Sequence, residues 1–250
     1  MIGPKVLLID IETAPTLAWV WGLYDQTISI QQVVEDPRII CFAAKWVGRS
    51  KIEFYSEHHH DRQTMLEQAA RLLGEADVVV GWNSKAFDVK WLMGEFMVAG
   101  IDRPSPFAQV DLMLEVKRNA RFVSNKLDYV SQRILDDRKL THSGFRLWLD
   151  CMAGDDRAWA KMKRYNRKDV ALLEPLYTTL APYINHPVNA ALFEGDDGIT
   201  RCPGCGSDDL ERRGLTHTRA LSYQRFRCRS CGKWSRGNRS VAGSHLRGTS

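Results

Sequence analysis

The chain has 250 residues, of which 44% are hydrophobic and 26% charged, and its formal net charge is +5. These proportions are ordinary for a soluble globular protein with room for one substantial domain and a small one. No run approaches the ~20 apolar residues of a membrane span, and Met1-Ile2-Gly3-Pro4-Lys5 lacks a cationic n-region with a long apolar h-region, so a cytoplasmic protein with no membrane partner is expected. The charge is unevenly spread. Residues 200–250 hold 11 Lys/Arg against 3 acids, giving +8 and leaving −3 for residues 1–199. A basic tail on an acidic body implies either a polyanion held mainly by the tail or a solvated end.

In chain order, Lys5 to Thr13 comes first. Val6 to Ile9 form an unbroken apolar run that leads into Asp10 and Glu12. Such a run marks a central strand buried on both faces, and alternation puts Asp10 and Glu12 on the same face. Two neighbouring acids repel and lose hydration unless something positive lies between them, and a divalent cation with oxygen ligands answers that need. Pro15 ends the strand. Residues 16–36 are irregular, and their cluster of Trp19, Trp21, Leu23 and Tyr24 is expected to pack in the core rather than to stack bases. Arg38–Val47 and Lys51–Tyr55, joined by Gly48-Arg49-Ser50, predict an antiparallel hairpin. His58-His59-His60 resembles a metal tract but lies in a polar turn and is expected to be an exposed loop.

Leu66, Ala69, Ala70, Leu72 and Leu73 fall at helical spacing. Val78-Val79-Val80 predicts a short buried strand ending at Gly81-Trp82-Asn83, after which Asp88 opens an apolar helix. Gln109-Val110-Asp111 predicts a last short strand that ends in an acid. Helices are expected over Lys126–Leu135 and Ala158–Leu180. Hairpin strands followed by strand–helix alternation predict a mixed α/β sheet flanked by helices. In the last helix Tyr165 and Asp169 lie four residues apart, on one face.

Taken together, Asp10-Ile-Glu12-Thr13, Asn83-x3-Phe87-Asp88 and Tyr165-x3-Asp169 resemble the three exonuclease motifs of the DEDD superfamily of 3′–5′ exonucleases. The tyrosine resembles the DEDDy branch, to which the proofreading domains of family B DNA polymerases belong. All four acids and the tyrosine match in order within residues 5–180. The resemblance implies a ribonuclease H-like fold and a stand-alone exonuclease of phage or bacterial type. The insert over residues 14–37 and the tail depart from a minimal exonuclease domain. The implied chemistry is phosphodiester hydrolysis by two Mg²⁺ or Mn²⁺ ions, which suit an all-carboxylate site. By this analogy Asp10 bridges both ions, and Glu12 and Asp169 complete the site of the ion that activates water. Asp88 holds the second ion through water, Tyr165 orients the attacking water, and Asn83 and Phe87 shape the pocket for the 3′-terminal nucleotides. Asp111 is left outside the expected site.

Cys202-x2-Cys205 and Cys228-x2-Cys231, 22 residues apart, have metal-site spacing, whereas Cys41 and Cys151 are isolated. Four thiolates make a closed, structural zinc site, here in a C-terminal zinc ribbon. Between and after these pairs, arginines interleave with Tyr223, Phe226 and Trp234. This pattern suits single-stranded nucleic acid, with a protein-docking ribbon as the alternative. The expected organisation is an exonuclease domain over 1–185, a linker over 186–200, the ribbon over 201–236 and a disordered basic tail over 237–250. The expected activity is 3′–5′ exonucleolysis of single-stranded DNA or frayed 3′ ends, in a bacterial cell or phage-infected host, with a separate polymerase or replisome protein as a conceivable partner. An exoribonuclease, a ribonuclease H-type endonuclease and a non-catalytic nucleic-acid-binding module are the competing readings.

Overall fold

The computed structural model describes residues 3–137, 139–140 and 144–245. Strand β1 (Val6–Thr13) is the centre of the main sheet. It is followed by two short strands, β2 (Leu17–Ala18) and β3 (Val33–Glu35), and by the hairpin of β4 (Ile39–Trp46) and β5 (Ile52–Ser56). Then come α1 (Arg62–Glu75), β6 (Val78–Gly81), α2 (Asp88–Ala99), β7 (Ala108–Asp111) and α3 (Leu112–Asn119). Helices α4 (Leu127–Leu135), α5 (Phe145–Met152) and α6 (Asp156–Leu180) complete the body. The sheet order is β5-β4-β1-β6-β7. The hairpin joins β1 antiparallel, while β6 and β7 run parallel to it. The mixed sheet flanked by helices is the architecture expected from the sequence.

Alternation along β1 sorts its side chains between two cores. Leu7, Ile9 and Ile11 pack with α1 and α2 on one face, and Val6 and Leu8 pack with α3, α4 and α6 on the other. Asp10 and Glu12 continue the second set, so strand periodicity alone aims them at α6. A third cluster, with Trp159, Leu147 and Cys151, closes the end of the sheet beside β4. Helix α3 starts directly at Asp111, and short α5 offers too little periodicity to be legible in the sequence.

A ring of polar groups ties the start of β4 to both helices of the first layer. Glu95 accepts from the Ile39 N–H at 3.0 Å and pairs with Arg62, whose guanidinium donates back to the Ile39 carbonyl at 3.0 Å. This satisfies both backbone groups of Ile39 where the antiparallel ladder is irregular. His58, in the turn before α1, stacks on Trp159 with ring centroids 5.1 Å apart and bonds Asp156 at 2.8 Å. His58 therefore pins that turn to α6 and is only half-exposed.

Two expectations are corrected. The aromatic cluster of residues 16–36 does not pack: Trp21 is 98% exposed, and Trp19, Leu23 and Tyr24 also face solvent. Strands β2 and β3 are too short to enclose a core. What orders them is polar, with the Trp19 N–H donating to the Gln32 carbonyl at 2.9 Å and the Gln32 amide donating to the Trp19 carbonyl. The C-terminal unit also extends beyond residue 236. Strands β8 (Leu210–His217), β9 (Leu221–Cys228) and β10 (Trp234–Gly243) form a three-stranded antiparallel sheet, so residues 237–243 are ordered by pairing with β9. Residues 246–250 of the expected disordered tail lie outside the described residues.

The segment expected as a linker is also ordered, with a 3₁₀ turn over Ala190–Glu194 and the Ala190 N–H donating to the Pro203 carbonyl at 2.9 Å. Among the described residues, no helix is long and apolar enough to cross a membrane.

Glu95→Ala removes the acceptor of the Ile39 N–H and one of the two carboxylates beside Arg62, which keeps Glu57 and the Ile39 carbonyl. It should cost about 1–3 kcal/mol in urea unfolding, against a smaller loss for Glu95→Gln.

Candidate active site

The site lies where the parallel strands diverge. Strand β6 pairs with β1 only from Val6 to Leu8, so beyond that point β1 has a free edge on this side. Asp88, at the start of α2, fills the gap: its Oδ1 accepts from the Ile11 N–H at 3.0 Å. The turn that carries the chain from β6 to α2 presses against β1. A Cβ on Gly81 would lie 2.6 Å from Ser84 Cβ and 3.1 Å from the Ile9 carbonyl oxygen, so only glycine fits there. Asn83 takes the left-handed conformation with φ 66°, which asparagine tolerates.

Asp111 organises this turn. Its carboxylate accepts from the N–H groups of Asn83 at 3.0 Å and Lys85 at 3.2 Å, and also caps α3 through Met113 and Leu114. Four backbone donors on one buried acid explain its position at a strand end without any catalytic role.

Opposite β1, one turn of α6 presents Tyr165, Asn166 and Asp169, all buried. Carboxylate oxygens of Asp10, Glu12 and Asp169 all lie within 4.8 Å of one another. Asp88 stands outside this triad, engaged with β1. Asn83 shapes the turn, and Phe87 packs against the first core and against Trp91 with ring centroids 6.2 Å apart.

Two further residues belong to the site and were not singled out in the sequence. Asn166 donates from Nδ2 to Asp10 Oδ2 at 2.7 Å and to the Asp10 carbonyl at 3.1 Å, fixing that carboxylate's rotamer. Lys139 reaches in from the segment before α5. Its Nζ lies 2.5 Å from Asp169 Oδ2 and donates to Tyr165 Oη at 2.7 Å. Asn166 directly follows the tyrosine, so its helical position could have been noticed. Lys139 lies in a polar stretch without periodicity.

The electrostatics follow from burial. Desolvation, followed by repulsion from Asp169, Asp88 and Glu12, holds the Asp10 carboxyl well above the usual range. Burial raises Glu12 to about 8 although Lys139 opposes it, and raises Asp88 to about 7 against the lowering effect of the Ile11 N–H. Burial also works against the charge of Lys139, but Asp169, Tyr165 and Asp10 outweigh it and keep the ammonium protonated. Burial, then Asp169 and Glu12, push the Tyr165 phenol up, so it remains an O–H donor at neutral pH. One lysine is insufficient positive charge for three converging acids. The donor set is all oxygen and tightly grouped, which fits a hard divalent cation.

The four thiols form the second candidate metal centre. Cys202 and Cys231 sulfurs are 3.6 Å apart, as are those of Cys205 and Cys228. That is well beyond a disulfide bond and close to the ~3.8 Å expected for thiolates sharing one tetrahedral zinc at ~2.3 Å. His217 is engaged elsewhere, with Ser222 Oγ at 2.8 Å.

Because the folded values of Glu12 and Asp88 are raised, the metal-free folded chain binds protons that the unfolded chain has released. The cluster's contribution to stability should therefore be fully present below the ordinary carboxylate range, be lost progressively as pH rises above it, and level off past about 7 to 8. With the zinc retained and no Mg²⁺ or Mn²⁺ added, the Tm should drop by several degrees between about pH 5.5 and about pH 8.5. Mn²⁺ or Mg²⁺ should restore more of it at the higher pH, as differential scanning fluorimetry can measure.

Comparison with known proteins extends these observations. The sequence pattern described as the RNase_H superfamily matches residues 7–181, the span from β1 to the end of α6. Curated proteins gave no match. Among solved structures, the family B DNA polymerase from the hyperthermophilic archaeon Pyrobaculum calidifontis is similar at 20% identity, with a TM-score of 0.53 over 72% of this chain and 25% of that one. The chain thus spans about a quarter of that polymerase's length, and the likeness is one of fold. On the match over residues 7–181, the chain belongs to the RNase_H superfamily.

Proposed function

We propose that this protein is a metal-dependent 3′–5′ exonuclease acting on single-stranded DNA or frayed 3′ ends. The observation that carries the reading is the convergence of Asp10, Glu12 and Asp169, with Tyr165 one helical turn from Asp169. Superfamily membership supports nuclease chemistry. The tyrosine and aspartate on α6 favour the exonuclease arrangement over a ribonuclease H-type endonuclease. DNA is preferred to RNA through the resemblance to family B proofreading domains. A cytoplasmic role beside a separate polymerase, in a bacterial cell or phage-infected host, suits this reading.

In this proposal Asp10, Glu12 and Asp169 would hold divalent cations, with Asp88 as a further acid that would serve them. Two Mg²⁺ or Mn²⁺ ions, when bound, supply positive charge to the attacking and leaving oxygens of the phosphodiester. Asn166 keeps Asp10 in its binding rotamer. Lys139 donates to the Tyr165 oxygen, so the phenol's own proton is directed elsewhere, toward the attacking water. Asn83 and Phe87 bound the space for the terminal nucleotides. Cys202, Cys205, Cys228 and Cys231 hold one structural Zn²⁺.

The test is a time course on 5′-labelled DNA and RNA single strands with Mg²⁺, Mn²⁺ or EDTA. Stepwise shortening is expected, lost in EDTA and lowered at least 10³-fold by Asp10→Ala, because residues that act as one unit fail together. Binding without shortening of either polymer would replace the enzyme with a binding module. Native mass spectrometry should find one zinc per chain, lost in Cys202→Ser.

A further inference from the structure

The C-terminal sheet is fixed to the body rather than tethered to it. The Lys233 ammonium donates to the Ile184 carbonyl, just past the end of α6, and the Ala190 N–H donates to the Pro203 carbonyl. A Cβ on Gly232 would come within 3.0 Å of Pro182 Cγ, so the second Cys-x2-Cys turn lies directly on the segment that ends α6. Tyr177 of α6 lines one cavity together with Cys205 and Cys231, which places that helix beside the thiols. Tyr177 is eight residues beyond Asp169, roughly 12 Å along the helix. The helix that completes the carboxylate site therefore also carries the C-terminal unit.

Strand register sorts the arginines of this unit. Trp234 pairs with Arg227 and Arg236 with Arg225, and directly paired residues share a sheet face. Tyr223 lies two residues before Arg225, on that same face. The face thus carries Tyr223, Arg225, Arg227, Trp234 and Arg236, while Phe226 and Arg212 lie on the other. The side chains interleave as well. The Arg225 guanidinium lies 4.9 Å from the Trp234 ring centre, and that of Arg236 lies 4.0 Å from the Tyr223 ring centre. Arg225, Arg227, Arg236 and Trp234 are exposed. Arg213 and Arg229 have Glu211 and Asp209 as partners, but among the described residues no carboxylate lies within ion-pair distance of Arg225, Arg227 or Arg236.

A guanidinium seated over an aromatic ring is restrained in where it can reach. Arginine can stack on a base while donating to a phosphate, and aromatic rings stack on bases. Three uncompensated arginines on one face match a polyanion, and their interleaving with Tyr223 and Trp234 matches an unpaired strand, whose bases are available for stacking. We propose that this face of the β8–β10 sheet is a second nucleic-acid contact, which holds single strand lying 5′ of the end that enters the carboxylate site. The inference rests on the proposed function in taking the substrate to be a polynucleotide whose 3′ end enters the carboxylate site. Strands too short to leave the carboxylate site do not touch the sheet, and longer ones are held at both places.

The test uses the full chain and a double Arg225→Gln, Arg236→Gln variant, with Trp234→Ala as a second probe. Zinc content and Tm verify folding in each. Binding of a 5′-fluorescein oligodeoxynucleotide of about 20 nucleotides is followed by anisotropy without chelator, with Asp10→Ala added to every protein, so that the zinc is kept and the result does not depend on cleavage. The double variant should raise Kd about tenfold or more and flatten the plot of log Kd against log salt by about 0.7 per arginine. Trp234→Ala should weaken binding about tenfold with the salt slope unchanged. A strand of about four nucleotides should bind all three proteins equally. An unchanged Kd and slope on the long strand, with zinc retained, would overturn the proposal and make the face a protein-docking surface. An equal loss on the short strand would also overturn it, by placing these side chains at the carboxylate site.

Discussion

Burying Asp10, Glu12, Asp88 and Asp169 together removes their hydration and sets like charges side by side, so this cluster is stable only with protons, cations or donors brought to it. The chain supplies what it can. Lys139 contributes one ammonium, Asn166 an amide and Ile11 a backbone N–H. The remaining deficit of positive charge is what suits the pocket to divalent ions, and it dictates much of the architecture around it. Strand β1 has to be central, α2 has to begin where β6 leaves β1, and α6 has to lie across the end of the strand. The two cores on either side of β1 hold these three elements in register.

How much of this was legible depends on how far each feature obeys local periodicity. Strand β1, the hairpin, and the faces of α2 and α6 were readable because alternation and helical spacing are written in consecutive residues. The acidic stations were readable for the same reason, since Asp10 and Glu12 inherit their direction from Val6 and Leu8. Lys139 was not, because its place in the site comes from the path of a loop and not from any repeat. Asp111 looked like one more acid at a strand end, and only its four backbone donors identify it as a clamp. The aromatic run of Trp19, Trp21 and Tyr24 misled because composition says that such residues prefer burial, whereas whether they are buried depends on there being enough surrounding chain to enclose them. The last strand was missed because its polar sequence, Ser235 to Ser240, carries no apolar alternation.

Helix α6 links the two halves of the molecule. Its middle turn supplies Tyr165, Asn166 and Asp169, and the residues at and just beyond its far end receive the cysteine turns. A unit of this size has little core of its own, so its stability and its orientation both derive from the sulfur cluster and from the helix beneath it. The arginine-bearing face is thereby held at a fixed distance from the carboxylates, unlike a domain on a flexible linker.

The connectivity of the carboxylate site has a consequence for how the protein is made. The Asn166–Asp10 hydrogen bond spans 156 residues, so Asp10 is synthesised well before the residue that holds it. Until α6 has emerged, Asp10 and Glu12 have neither Asn166 nor Asp169 opposite them. Contacts of such wide sequence separation form late and slowly. A chain that stops short of α6 therefore cannot assemble the pocket.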